Sequence, residues 1–567
     1  MKSTTQQKQL IVLLLFMFIA CASIPPCGVV RADGVTDPTQ ILTPAPLPLQ
    51  PVGTPFMDPV FDTSLRRVSN TSDSGGFETQ TYSQLQAFSS DNAYILLSGS
   101  NGYVIRRLSD LSLVAGLDTS EWNAPRWHPV MSHTLVHFDS NADTTIRLQF
   151  TDVDTFTTTT VFTFPSQYNY ILVNQSFDEI SEDGRWLAGM VIRNDRKRVI
   201  FALDVQNGVL TVELPISDLY AGDCQPDPEW GEVEPDWVGV SPLGRYLVVQ
   251  WKRDGITRCS GMETFDLQTG NFVGRVYDGH QHGDLGIDSD GTTEFFMTFE
   301  MSSTFDNNRP AIGMRELPGT PTVSQPSYLQ VLDWGNAGHI SCRGPNGVGL
   351  ISCNGWNVNG WNPFERELFL QYTDGSVLRL AHHRSSSCGY WVQPRASISR
   401  DGRYIVFTSD WGQETGMNSC NVWNDPLGAG DPYIIDLGDN ATGSTTTTTT
   451  TTTISTTTSS TITTTSTTTT TVVCQCPADS SKGCISGTVK NRTGNPLAKK
   501  TVRLKRISPK KPYAAMNVVT GNDGCYRFTN LKNGTYEIKV NSCNGGGTKT
   551  VDVTAGGKVN DVNFQCR

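Results

Sequence analysis

Seven recurrences of one turn motif, evenly divided cysteines and a long threonine tract predict an all-β protein. The expected architecture is a seven-bladed β-propeller joined by a stalk to a smaller β-sandwich. A chain of 567 residues is too long for one core and should split into domains. The motif reads apolar-Ser-x-Asp-Gly-Arg-Tyr/Trp and is clearest at 180–186, 240–246 and 398–404. Weaker copies start at Phe88, Trp127 and Ile287, with a degenerate one near Cys342. These anchors lie 39, 53, 60, 47, 55 and 56 residues apart, which suits four-stranded blades with variable loops. Several units close on Asp-Leu/Val-Gln-x-Gly, as at 203–208 and 265–270.

Taken in chain order, residues 1–32 read as an export signal. Lys2 and Lys8 precede the apolar run 10–20, too short to span a membrane comfortably, and Val30-Arg31-Ala32 suits cleavage after Ala32. Lipidation at Cys21 is the rival reading of the same segment. No later stretch is long and apolar enough to be a transmembrane segment. Residues 33–59 read as a Pro-rich N-terminal linker, and 60–440 as the propeller, with 56–70 supplying a strand that closes the ring. In 441–473, 22 of 33 residues are threonine, a composition that builds no core and favours an extended, O-glycosylatable spacer. Residues 474–567 form the small domain.

Charge and cysteines divide along the same boundary. From 474 to 567, 16 Lys and Arg face 5 Asp and Glu, a net of +11; the whole chain is −11, so residues 1–473 carry −22. Such asymmetry points to different surfaces or partners for the two domains. Of 14 cysteines, six (224, 259, 342, 353, 388, 420) fall in the propeller and six (474, 476, 484, 525, 543, 566) in the small domain. Even numbers imply disulfides and an oxidising, extracellular or cell-surface location. Cys342 and Cys353 flank Gly-Pro-Asn-Gly and are expected to bridge a hairpin.

In the small domain, short alternating runs such as 501–504, 520–528 and 531–538 are separated by Asn-Gly and Asp-Gly turns and read as antiparallel strands. The stretch DGCYRFTNLKNGTYEIKV resembles the carboxypeptidase-regulatory-like and collagen-adhesin B-type families over 484–566. That resemblance implies a prealbumin-like sandwich, a spacer or carbohydrate-binding module more often than a catalyst. The large-domain repeats resemble TolB-type propellers, whose unit reads Ser-Pro-Asp-Gly-Arg-Tyr, over about 82–437; this implies fold, not activity.

The anchors also fix a register. The strand before each anchor should line the channel, with residues one, three and five positions earlier on one face. For three neighbouring blades these are Gly286, Asp284 and His282; Ser341, His339 and Ala337; Ser397, Arg395 and Gln393. Glu179, Arg126 and Trp237 share that register on other blades, and Arg126 and Trp237 are expected to contact substrate together with Arg395. Five of the eight histidines lie between 280 and 383. His282, Asp284, His339 and Gln393 offer imidazole, carboxylate and amide ligands suited to a divalent metal (Mn, Zn or Ni). Arg395 offers instead a fixed cation for a carboxylate or sulfate. His280, His382 and His383 are expected to rim the same mouth.

This pattern, with YWVQPRASISRDGRYIVFTSDWG at 390–412, is similar to the oligogalacturonate lyases. The resemblance implies a metal held by histidines and a glutamine, matching His282, His339 and Gln393, and β-elimination of uronate sugars; Arg395 stands where a further histidine is wanted. In that chemistry the metal or Arg395 neutralises the uronate carboxylate, His280, His382 or His383 removes the α-proton, and Tyr390 protonates the leaving oxygen. The expected function is thus a secreted or cell-surface propeller that binds, and cleaves by β-elimination, an acidic polysaccharide or cell-surface polymer. The alternative is a non-catalytic adhesion or envelope scaffold that binds protein partners. Nucleic acid is not an expected partner, and nucleotide-loop, metalloprotease and serine-elbow motifs are absent from the sequence.

Overall fold

A computed structural model describes residues 34–438 except 71–76, 101, 121, 140–144, 177, 302–308, 356–360, 387–388 and 413–429. It also describes 483–566 except 492–494, 509–515, 521–523, 541–547, 555–557 and 560–561. The signal segment, the threonine tract and Cys21, Cys388, Cys420, Cys474, Cys476 and Cys543 lie outside the described residues. The chain divides into two compact units, Met1–Thr448 and Thr449–Arg567.

The repeated motif has a local physical cause. In the copy at 180–186, Gly184 takes φ +71°, a left-handed conformation that glycine adopts without penalty. The Ser181 hydroxyl donates to Asp183 and accepts from the Trp186 amide, while Asp183 also accepts from the Arg185 amide. The copy at 398–404 repeats these bonds through Ser399, Asp401, Gly402 and Tyr404. At 89–94 Asn92 takes the left-handed position with φ 60°. In these copies the motif therefore builds one self-satisfied turn between a blade's two inner strands.

Among the described residues the first unit holds seven antiparallel sheets, consecutive along the chain. The propeller fold expected from the repeats is present. Seven apolar clusters fill the seven interfaces between neighbouring blades: Trp186 and Met190 of the third blade pack with Val238 and Trp251 of the fourth. Closure comes from the N-terminal side, as expected. Strand Ser64–Arg67 pairs with Asp431–Asp436 and completes the seventh blade, and Arg67 forms an ion pair with Asp431. The Pro-rich stretch before it is tied down along the sixth and seventh blades. Arg379 donates to the carbonyls of Asp37 and Gln40, and Trp411 Nε1 donates to that of Leu47.

Cys224 and Cys259 form a disulfide, whereas Cys342 and Cys353 are buried free thiols. The expected hairpin bridge fails on register. Ser341 pairs with Leu350 while Cys353 pairs with Gly338, so the two cysteines are four rungs apart. The second unit packs two sheets around Ile485, Leu504, Tyr526 and Ile538, and Cys484, Cys525 and Cys566 are disulfide-bonded.

Candidate functional site

The inner strands converge on a channel with three levels. The middle level is an ionic plug. Arg343 Nη2 donates to Asp178 at 2.7 Å and to Asp284 at 2.6 Å, and its Nε donates to the Gln84 carbonyl. The second Asp284 oxygen accepts from the Cys342 amide. Gln86 donates to the carbonyls of Arg343 and Ile398, and its amide donates to Glu179. Burial raises the pKa values of Asp178 and Glu179, and raises that of Asp284 to about 8 against the pull of Arg343. Below the plug a small cavity of about 270 Å³ is bordered by Arg343, Glu182 and Arg400, the latter two ion-paired.

Above the plug opens a cavity of about 560 Å³, lined by six of the seven blades. Its wall is made largely by places where the inner strands depart from regular geometry. In the third blade a 3-10 turn, Val173–Gln175, brings Asn174 and Gln175 to the cavity. In the seventh the 3-10 turn Tyr390–Val392 presents an aromatic shelf. In the second, Ala124 takes φ 47° beside a bulge.

Tyr390 and Trp391 of that shelf are 49 % and 38 % exposed. Arg395 lies beneath them, its guanidinium carbon 4.3 Å from the Tyr390 ring centre and 5.2 Å from that of Trp391. Arg395 donates to the Thr81 carbonyl and the Thr79 hydroxyl of the first blade, and among the described residues no carboxylate pairs with it. Phe77 packs against Trp391 from the side, with ring centres 5.1 Å apart. Facing the shelf are Trp237, whose Nε1 donates to Gln250, and Lys252 and Asp236.

The register brings part of the expected group together. His282 lines the cavity and stacks on His339, with ring centres 4.6 Å apart. Burial, with the fields of His282 and Arg395, holds His339 well below the usual histidine range. His282 Nδ1–H donates to the Gly338 carbonyl, which leaves Nε2 as the acceptor.

The metal set does not converge. Asp284 is committed to Arg343 and two backbone amides, the two imidazoles stack face to face, and half-buried Gln393 follows the 3-10 turn. No group of three or more His, Cys, Asp or Glu side chains placed to hold a metal ion occurs among the described residues.

Other expected site residues lie elsewhere. His382 is buried against Phe61 and Trp361, and its Nε2 donates to the Leu42 carbonyl of the N-terminal stretch. His383 Nε2 donates to the Cys353 carbonyl, and its Nδ1 accepts from the Ser385 amide. Burial lowers both pKa values to about 3, and neither side chain is among those that line the cavity. His280 is exposed and bound to Asp254. Arg126 is buried, donating to the carbonyls of Ala124 and Ser176, and braces inner strands. Arg395 is likewise fully buried, beneath the Tyr390–Trp391 shelf. Sequence reasoning missed Tyr82, Tyr103, Lys252, Asn174 and Gln175. None belongs to the turn motif, and the irregular strands carry no periodic signal.

Residues 484–567 match the family described as carboxypeptidase regulatory-like domain. No curated protein matches the sequence. Among solved structures, the chain is similar to an oligogalacturonate lyase in complex with manganese at 13 % identity and TM-score 0.45, covering 72 % of this chain and 99 % of that one. A second oligogalacturonate lyase, from Vibrio parahaemolyticus, has 13 % identity and TM-score 0.45, covering 68 % and 97 %. TolB from Acinetobacter baumannii has 13 % identity and TM-score 0.29, covering 54 % and 63 %. These are likenesses of fold and say nothing about this chain's activity.

Proposed function

We propose that the chain is exported, acts outside the cell or at its surface, and binds an acidic polysaccharide segment at the upper propeller mouth. The observation that carries the binding reading is the Tyr390–Trp391 shelf held over Arg395, which no carboxylate pairs among the described residues, with Lys252 across the cavity. Exposed aromatic faces suit the apolar face of a sugar ring, and the cations favour a carboxylate over a neutral hydroxymethyl group. Asn174, Gln175 and Gln250 supply amides for hydroxyl groups. Fluorescence titration of the full chain with a galacturonate trisaccharide and a neutral glucose trisaccharide tests this. The acidic sugar should bind at least about tenfold more tightly, a difference of about 1.4 kcal/mol. Equal affinity for the two would remove the reading.

A second reading, cleavage by β-elimination, is favoured by the tautomer of His282. With Nδ1–H fixed on Gly338, Nε2 is available to take the proton α to a uronate carboxylate, and Tyr390 stands across the cavity as proton donor to the leaving oxygen. Ultraviolet absorbance of the unsaturated product tests it. A signal abolished by His282→Gln supports cleavage, and a flat trace leaves binding alone.

A further inference from the structure

The C-terminal unit carries a charged sheet face that its own folding does not call for. Strand Thr501–Ser508 buries Val502 and Leu504 and exposes Arg503 and Lys505. Its neighbour Gly534–Val540 buries Tyr536, Ile538 and Val540 and exposes Lys539. The register sets Arg503 directly opposite Lys539, and Lys505 opposite Glu537. Like charges directly opposite across a sheet are destabilising. Among the described residues, Arg503, Lys505 and Lys539 make no side-chain hydrogen bond or ion pair. The fold thus sustains a repulsive contact on an open face.

We propose that this face is a second binding site, and that its ligand is a linear anionic polysaccharide carrying carboxylates or sulfates. Such a chain neutralises Arg503 and Lys539 together and reaches Lys505 in the next row. The net +11 of residues 474–567, against −22 for the rest of the chain, draws a polyanion to this unit first. A flat anionic bilayer fits less well. Glu537 and Asp552 interrupt the same face, with Asp552 accepting from the Thr535 hydroxyl. Ile507 is the sole large exposed apolar side chain among the described residues of this unit, which gives those residues little to wedge into lipid. A narrow chain passes between the two carboxylates, whereas a continuous surface meets both.

The test uses the full chain with three probes: long polygalacturonate, a galacturonate trisaccharide, and vesicles rich in phosphatidylserine. Combined substitution of Arg503→Gln, Lys505→Gln and Lys539→Gln should weaken polygalacturonate binding about tenfold and flatten its salt dependence. Trisaccharide binding, which reports the propeller mouth, should not change, so failure at either site is read separately. Lys539→Thr removes the repulsive contact and keeps a strand-forming residue. It should raise the melting temperature of the C-terminal unit while lowering polygalacturonate affinity, a combination misfolding cannot produce. Polygalacturonate affinity unchanged in the triple variant would overturn the proposal. So would vesicle binding that exceeds polygalacturonate binding and is lost in the same variant.

Discussion

The plug and the mouth occupy successive levels of one channel, are built from the same inner strands, and treat charge in opposite ways. In the plug, Arg343 is matched by two carboxylates and a carbonyl, and its neighbours fix Gln86 and Glu179 in turn. In the mouth, Arg395 meets a carbonyl, a hydroxyl and two aromatic faces, with no carboxylate among the described residues to pair it. Polar residues lining a propeller channel are therefore not one class. Those in the plug are satisfied within the fold and hold the blades together, whereas buried Arg395 places its charge beneath the exposed Tyr390–Trp391 shelf, the surface that the proposed ligand would meet.

Breaking the plug should have the largest effect. Arg343→Ala leaves Asp178 and Asp284 buried without their cation, and should cost about 3–5 kcal/mol in chemical denaturation. Gly239→Ala tests the same level by space: a Cβ there would lie 1.8 Å from an Asp178 oxygen. The neighbouring carboxylate must shift, at about 1–3 kcal/mol.

The buried histidines sharpen the contrast through pH. His382 and His383 have pKa values lowered to about 3, and His128 and His137 to about 4, all chiefly by burial. They are neutral in the folded chain and protonate below about 6.5 when unfolded, so the unfolded state binds the extra protons. Their contribution is present above pH about 6.5 and lost as pH falls toward 4, at up to about 1.4 kcal/mol per pH unit for each histidine. Melting temperature followed across that window should fall, and His383→Asn should make the fall shallower.

The smallest effect on stability should come from the mouth. Trp391→Ala removes an exposed ring and should change stability by no more than about 0.5 kcal/mol, while trisaccharide affinity falls about tenfold.

The blades were legible because the Ser-x-Asp-Gly-Arg turn satisfies its own hydrogen bonds, so its spacing survives in the sequence whatever the loops do. The ring-closing strand was legible for the same reason, since seven anchors leave the last blade short of an outer strand. The register also placed His282 at the mouth with Asp284 below it. It did not show that Asp284 is held by Arg343, a residue one position past a degenerate anchor. Nor did it show that His382 and His383 belong to the packing of the N-terminal stretch, because alternation says which face a residue takes and not what covers it. Tyr390 was expected at the site, but the shelf it forms with Trp391 and the Val173–Gln175 turn were not, because both 3-10 turns interrupt the strands on which the register rests.

The most direct measurement is titration of the full chain and its Trp391→Ala variant with the galacturonate trisaccharide, read by calorimetry so that tryptophan loss does not alter the signal. One saturable site is expected in the unmodified chain, weakened about tenfold in the variant at equal melting temperature. Equal affinity in the two proteins, or no heat of binding in either, would contradict it.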